Sequence, residues 1–174
     1  ASNRVKLYVN GSQVTDLAAT TYPSQDTDYN INNTNVHELG RAVFGSSNYF
    51  DGYMAEVVLI DGQALDPTSF GEFDSTTGIW KPRKIGQQFA AGGGAGTNGF
   101  YLDFKDSSNL GNDASGNNND YTVNNLTSID QATDTCVDNY VTLSPLATTT
   151  TQGTVSQGNL EFDRAGSSDG WVSI

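Results

Sequence analysis

Arg4-Val5-Lys6-Leu7-Tyr8-Val9-Asn10-Gly11-Ser12-Gln13-Val14 and, later, Ala55-Glu56-Val57-Val58-Leu59-Ile60-Asp61-Gly62-Gln63-Ala64-Leu65 are two versions of one phrase. Each is a β-rich run broken by Asn-Gly or Asp-Gly, dipeptides that accept the positive φ angles of a type I′ hairpin turn. In the first, Val5, Leu7 and Val9 alternate with Lys6 and Tyr8, which predicts one buried and one wet face. The second is apolar almost throughout and suits a strand held between two layers. These runs predict an all-β protein, whose function lies on sheets and loops.

Composition agrees. The chain has 174 residues, 36% hydrophobic, with 19 glycines and much Asn, Ser, Thr and Asp, as short strands joined by long polar connections require. The formal net charge is −12, and the only basic run is Lys81-Pro82-Arg83-Lys84. Such a surface repels phosphate backbones, so nucleic acid is not expected as a partner. No run approaches the roughly 20 apolar residues of a membrane span, and no signal peptide is read. Membrane insertion is not expected. The single cysteine, Cys136, excludes an internal disulfide.

Outward from the first phrase, residues 4–18 read as a hairpin and 20–35 as a polar loop. Residues 36–44 read as a strand with a bulge at Gly40, 45–50 as a turn and 52–60 as a strand. Asp66-Pro67 predicts a short helical turn, with Asp as N-cap and Pro at the first helical position. Thr77-Gly78-Ile79-Trp80-Lys81-Pro82 reads as an extended segment docked by its tryptophan. Residues 90–96 form a glycine-rich connection. A strand is expected at 100–104, a polar loop at 106–120, a short strand at 121–126 and an acidic linker at 128–138. Residues 140–146, 154–156, 159–162 and 170–174, with a turn at 157–158, read as opening strands of a new sheet. That sheet is too small to close on itself.

Reactive chemistry finds little footing. One histidine, His37, lies far in sequence from Cys136 and reads as a locally hydrogen-bonded strand residue. Glycosidases that work from one strand face need closely spaced carboxylates. Here Glu56 and Asp61 have only apolar residues between them and no third acid, so Glu56 reads as a structural carboxylate. Gly92-Gly93-Gly94 precedes no Lys-Ser/Thr, so no P-loop is present. An enzyme is not expected. Asp106, Asp113 and Asp120 fall seven residues apart in an Asn-rich loop, and oxygen ligands of this sort suit calcium. The alternating Asp core of an EF-hand is missing, and the preferred reading is a solvated loop of Asx turns.

Leu7-Tyr8-Val9-Asn10-Gly11 together with Phe50-Asp51-Gly52-Tyr53-Met54-Ala55-Glu56-Val57 resembles the C-terminal half of a laminin-G-like, concanavalin-A-like jelly roll. Thr77-Gly78-Ile79-Trp80-Lys81-Pro82, Asn98-Gly99-Phe100-Tyr101-Leu102-Asp103-Phe104 and Asp113-Ala114-Ser115-Gly116-Asn117-Asn118-Asn119-Asp120 follow in an order similar to that in large virion proteins of tailed phages, many of them marine. Asn139-Tyr140-Val141-Thr142-Leu143-Ser144-Pro145-Leu146 onward resembles the start of a SPRY-like β-sandwich. The resemblance implies an antiparallel β-sandwich (jelly-roll) segment over 1–85, a glycine- and Asn-rich connector with one or two short strands over 86–135, and the beginning of a second sandwich over 136–174. It also implies a longer polypeptide, of which these residues are a window, as the start at Ala1 suggests.

By the same resemblance the function is non-enzymatic: a structural and adhesive part of a tail fibre or surface appendage, on the extracellular face of a virion. Its partners would be other virion subunits, copies of itself and host-surface glycans, with multiple copies supplying avidity. Two alternatives are a bacterial surface adhesin or secreted lectin-like module, and part of a glycan-degrading enzyme whose catalytic acids lie outside this chain. Jelly rolls of this family often carry calcium, which adds to the reading of Asp106, Asp113 and Asp120. Sugar-stacking candidates are Tyr22, Tyr29 and Trp80. Core or interface packing is preferred for Trp80, as for Phe50 and Tyr53, and exposure is expected of Tyr22 and Tyr29.

Overall fold

A computed structural model of the chain describes residues 4–18, 20–42, 48–85, 89, 94–132 and 135, and the backbone of 153–156 and 161–164. The strands are β1 (Tyr8–Val9), β2 (Ser12–Gln13), β3 (Val57–Leu59), β4 (Gly71–Phe73), β5 (Trp80–Pro82), β6 (Phe100–Leu102), β7 (Gly153–Ser156) and β8 (Glu161–Arg164). They pair antiparallel as β1-β2, β3-β6, β4-β5 and β7-β8, four two-stranded sheets. The helical elements among the described residues are 3-10 turns at Pro67–Ser69 and Ser128–Asp130. The fold is therefore all-β and antiparallel, and no described helix is long and apolar enough to cross a membrane.

The first hairpin forms where Asn10-Gly11 predicts it. Asn10 and Gly11 take φ of 48° and 75°, Val9 faces Ser12, and the Val14 N–H donates to the Leu7 carbonyl at 2.8 Å. The expected buried face is not seen. Val5, Leu7 and Val9 are 60%, 53% and 55% exposed, because among the described residues no second layer covers them.

Several other strands are shorter than the sequence predicts, for a backbone reason. Glu56 takes φ of 54°, which ends the expected 52–60 strand before Val57, and Phe104, also at 54°, follows the end of β6. Left-handed residues cannot continue a strand. Gly40 at φ 77° interrupts the expected 36–44 strand, whose described part, 36–42, holds one bridge, Arg41 opposite Tyr49; residues 43–44 lie outside the described residues. Residues 121–126 form no strand; the Tyr121 N–H only reaches the Gly111 carbonyl at 2.8 Å, and Asn125 is left-handed at 58°. The 3-10 turn at Pro67 follows an extended Asp66, whose carbonyl takes the Ser69 N–H at 2.9 Å while its side chain makes no capping bond. The 128–138 linker instead opens with a turn closed by a capping box between Thr127 and Asp130. In the last region β7 and β8 pair with Val155 opposite Phe162; the expected strands at 140–146 and 170–174 and the turn at 157–158 lie outside the described residues.

The buried side chains gather around β6. Ile85, Phe89 and Tyr101 form a cluster, flanked by Val58, Ile60, Phe70 and Ala114, with Phe70 and Phe89 stacked at 5.8 Å. Ala95, Phe100, Leu102 and Leu110 are buried as well. Most of these residues belong to the stretch expected to serve as a connector.

Candidate functional site

Three polar or aromatic sites emerge, and two of them are structural. The first is centred on Asp113, which is 6% exposed. In a strand, a residue's N–H and C=O point the same way; Tyr101 turns both toward the 113–120 loop. Its N–H donates to Asp113 Oδ1 at 2.8 Å, and its carbonyl accepts from the Ala114 N–H at 2.8 Å. An aspartate side chain thus stands in for a neighbouring strand. Asp113 Oδ1 also accepts from the Ser115 N–H (2.9 Å), and Oδ2 from the Ser115 hydroxyl (2.9 Å) and the Asn119 N–H (3.0 Å). Burial by itself pushes the Asp113 carboxyl up, but these donors outweigh it and hold the group below its ordinary value.

Around this hub the loop is stapled by amides. Asn117 Nδ2 donates to the Gly96 and Gly99 carbonyls (2.5 and 2.9 Å), and Asn119 Nδ2 to those of Thr97 and Gly99 (3.1 and 2.9 Å). Asp61 works from the other side. It accepts from Asn32 Nδ2 at 2.8 Å and from the Asn98 N–H at 3.2 Å, while its own N–H reaches the Ala95 carbonyl at 2.7 Å. Among the described residues no buried side-chain polar atom lacks a partner.

These bonds place the calcium candidates. Asp120 Oδ1 accepts the Asp113 N–H at 2.8 Å, so those two are brought together, but through backbone rather than around an ion. Asp106 closes its own turn by accepting from the Ser108 N–H and hydroxyl at 2.9 and 2.6 Å; the hydroxyl and then the N–H hold its carboxyl below the ordinary value. Among the described residues no group of three His, Cys, Asp or Glu side chains is placed to hold a metal. The loop has the Asx-turn character preferred from its sequence. Glu56 accepts from the Tyr101 hydroxyl at 3.4 Å. His37 is locally bonded as expected, although outside any strand: Nε2 accepts the Asn32 N–H at 3.1 Å, which leaves Nδ1 to donate to the Asn35 carbonyl at 2.7 Å.

The second structural site is Trp80. Its indole lies against Gly11 at the first hairpin turn and against Gly71 in β4, where a Cβ on either glycine would overlap the ring. Phe73 meets it edge-on at 5.0 Å. It ties hairpin β1-β2 to hairpin β4-β5, and its side chain is half-buried there. In the same hairpin Lys81 Nζ pairs with Asp74 Oδ2 at 2.6 Å; that cation, followed by the Thr77 and Thr76 N–H groups, holds Asp74 far below the usual carboxylate range. Tyr29 is exposed, but Tyr22 is half-buried, and among the described residues no ring contact joins Tyr22, Tyr29 and Trp80.

The third site draws on the expected strands at 36–44 and 52–60 and on the expected turn at 45–50. The Ala42 N–H donates to the Asn48 carbonyl at 3.0 Å and the Phe50 N–H to the Gly40 carbonyl at 2.8 Å, on either side of the Arg41–Tyr49 bridge. Arg41, Asn48, Tyr49, Phe50 and Met54 line a broad, shallow depression of about 600 Å³ there. Arg41 is held by Glu38 in a two-pronged pair, Nε to Oε2 at 3.0 Å and a second nitrogen to Oε1. The Glu38 carboxylate, and after it the Tyr49 hydroxyl, keep the guanidinium above its usual value. Phe50 and Tyr53, expected to be packed, are 55% and 79% exposed. The ring of Phe50 does rest on Gly52, where a Cβ would come within 2.9 Å of it. A run of neighbouring aromatics was legible in the sequence; their outward direction was not. No family model matches this chain, and neither a curated protein nor a solved structure matches it.

Proposed function

We propose that this chain is a non-enzymatic structural and adhesive segment of a virion surface appendage, such as a tail fibre, and that it contacts host-surface glycans. In this reading residues 1–85 are the C-terminal half of a laminin-G-like jelly roll and 136–174 open a SPRY-like sandwich. The segment is carried in multiple copies beside other virion subunits. The observation that carries the reading is the division of labour among side chains. The carboxylates and amides of the 95–120 region are engaged in bracing backbone, whereas apolar and aromatic groups of 5–9 and 49–53 face outward. Outward apolar groups gathered in this way suit contacts with further surfaces. Incubation of the whole polypeptide with host polysaccharide tests it. Retention on the polysaccharide without release of reducing ends is expected; release of reducing ends assigns the chain to a glycan-degrading enzyme instead.

A further inference from the structure

The depression lined by Arg41, Asn48, Tyr49, Phe50 and Met54 has the chemistry of a recognition surface, and we propose that it is the glycan subsite, specific for an uncharged sugar chain. The assignment rests on the adhesive reading above. Directly opposed residues of an antiparallel pair present their side chains on one face, so the bridge sets the Arg41 guanidinium beside the Tyr49 ring. Tyr49 is 62% exposed. An aromatic face, electron-rich at its centre, attracts the weakly positive C–H face of a pyranose. Phe50, steadied on Gly52, and Met54 supply the apolar wall, while Asn48 and the remaining guanidinium N–H groups suit sugar hydroxyls. The depression is broad and shallow, which admits a chain rather than enclosing a small molecule.

Charge selects among sugars. Glu38 neutralises Arg41 within the site, and the protein around it carries a formal −12. Sialylated, uronic or phosphorylated chains would find no uncompensated cation there and a repulsive surface on approach. Neutral hexose polymers meet neither obstacle.

A panel of neutral and anionic polysaccharides, titrated against the whole polypeptide, tests the assignment. The wild type is expected to bind a neutral chain, with affinity little changed by added salt. Tyr49→Ala weakens binding about tenfold, the loss of one ring stack, whereas Tyr49→Phe retains it. Ile129→Ala, at an exposed apolar side chain outside the depression, serves as a control and leaves binding unchanged. Full binding by Tyr49→Ala overturns the site while leaving the adhesive reading standing. Absence of binding to every glycan overturns both. Binding restricted to anionic chains, or a wild-type dimer that Tyr49→Ala dissociates, overturns the neutral-glycan assignment in favour of another ligand or of a second copy of the chain.

Discussion

Asp113 connects one side chain to much of the loop architecture. Its oxygens take two donors from Ser115 and one each from Tyr101 and Asn119. Removing them leaves buried N–H groups without acceptors, so Asp113→Ala is expected to cost about 2–4 kcal/mol in urea unfolding. Asp113→Asn should cost roughly half as much, since an amide offers one acceptor oxygen in place of two. The pH dependence follows from the lowered carboxyl. Its folded value lies below the ordinary 3.8, so the charge-dependent stability is fully present above that pH. It disappears as pH falls through the folded value. The stability gap between wild type and Asp113→Asn should therefore be constant near neutrality and shrink under strong acid; a gap that widened there would contradict the hub. An Asx-rich loop was legible from Asp113 to Asp120. Its target, the backbone of Tyr101, was not, because local sequence specifies the turn but not the strand edge it covers.

Among the elements, the two hairpins joined by Trp80 give the sharpest mutational contrast. Gly71→Ala would drive a methyl into the indole and to 2.8 Å from the Lys81 carbonyl, and should lower stability by about 1–3 kcal/mol. In a Trp80→Ala background the share of that penalty due to the ring should vanish, leaving the overlap with the Lys81 carbonyl. Thermal unfolding of the two singles and the double measures it, and simple additivity would refute the packing described. Leu102, 1% exposed in β6, and Leu7, 53% exposed beside β1, form a second contrast. Leu102→Ala is expected to cost about 2–5 kcal/mol. Leu7→Ser should stay within about 0.5 kcal/mol, as surface substitutions do. Equal losses would mean that the 5–9 strand is covered by a layer. The tryptophan's docking role could be read from the extended run around it. Its partners could not, since Gly11 lies far back along the chain and glycine carries no hydrophobic signal.

For the molecule as a whole, charge dominates the expected behaviour in solution. A formal −12 spread over a small core works against compactness through self-repulsion. Raising sodium chloride from very low ionic strength should raise the melting temperature as the repulsion is screened. Calcium chloride at matched ionic strength should do no more, because the Asp113 oxygens are filled by protein donors and Asp120 Oδ1 holds a backbone N–H. A calcium-specific rise, reversed by EGTA, would place an ion among Asp106, Asp113 and Asp120 after all.

The amino-acid sequence by itself determined the class of structure: β-runs of period two, Asn-Gly at a type I′ turn, Asp-Pro before a 3-10 turn and an Asx-rich loop. These are short-range properties, fixed by backbone sterics and hydrogen bonding within a few residues. Only the tertiary structure decided that β3 pairs with β6 across two intervening strands, that left-handed Glu56 and Phe104 bound those strands, and that Val5, Leu7, Val9 and Tyr49 face outward. Burial and pairing depend on which distant surfaces meet, and alternation along one strand marks two faces without saying which of them, if either, finds a partner.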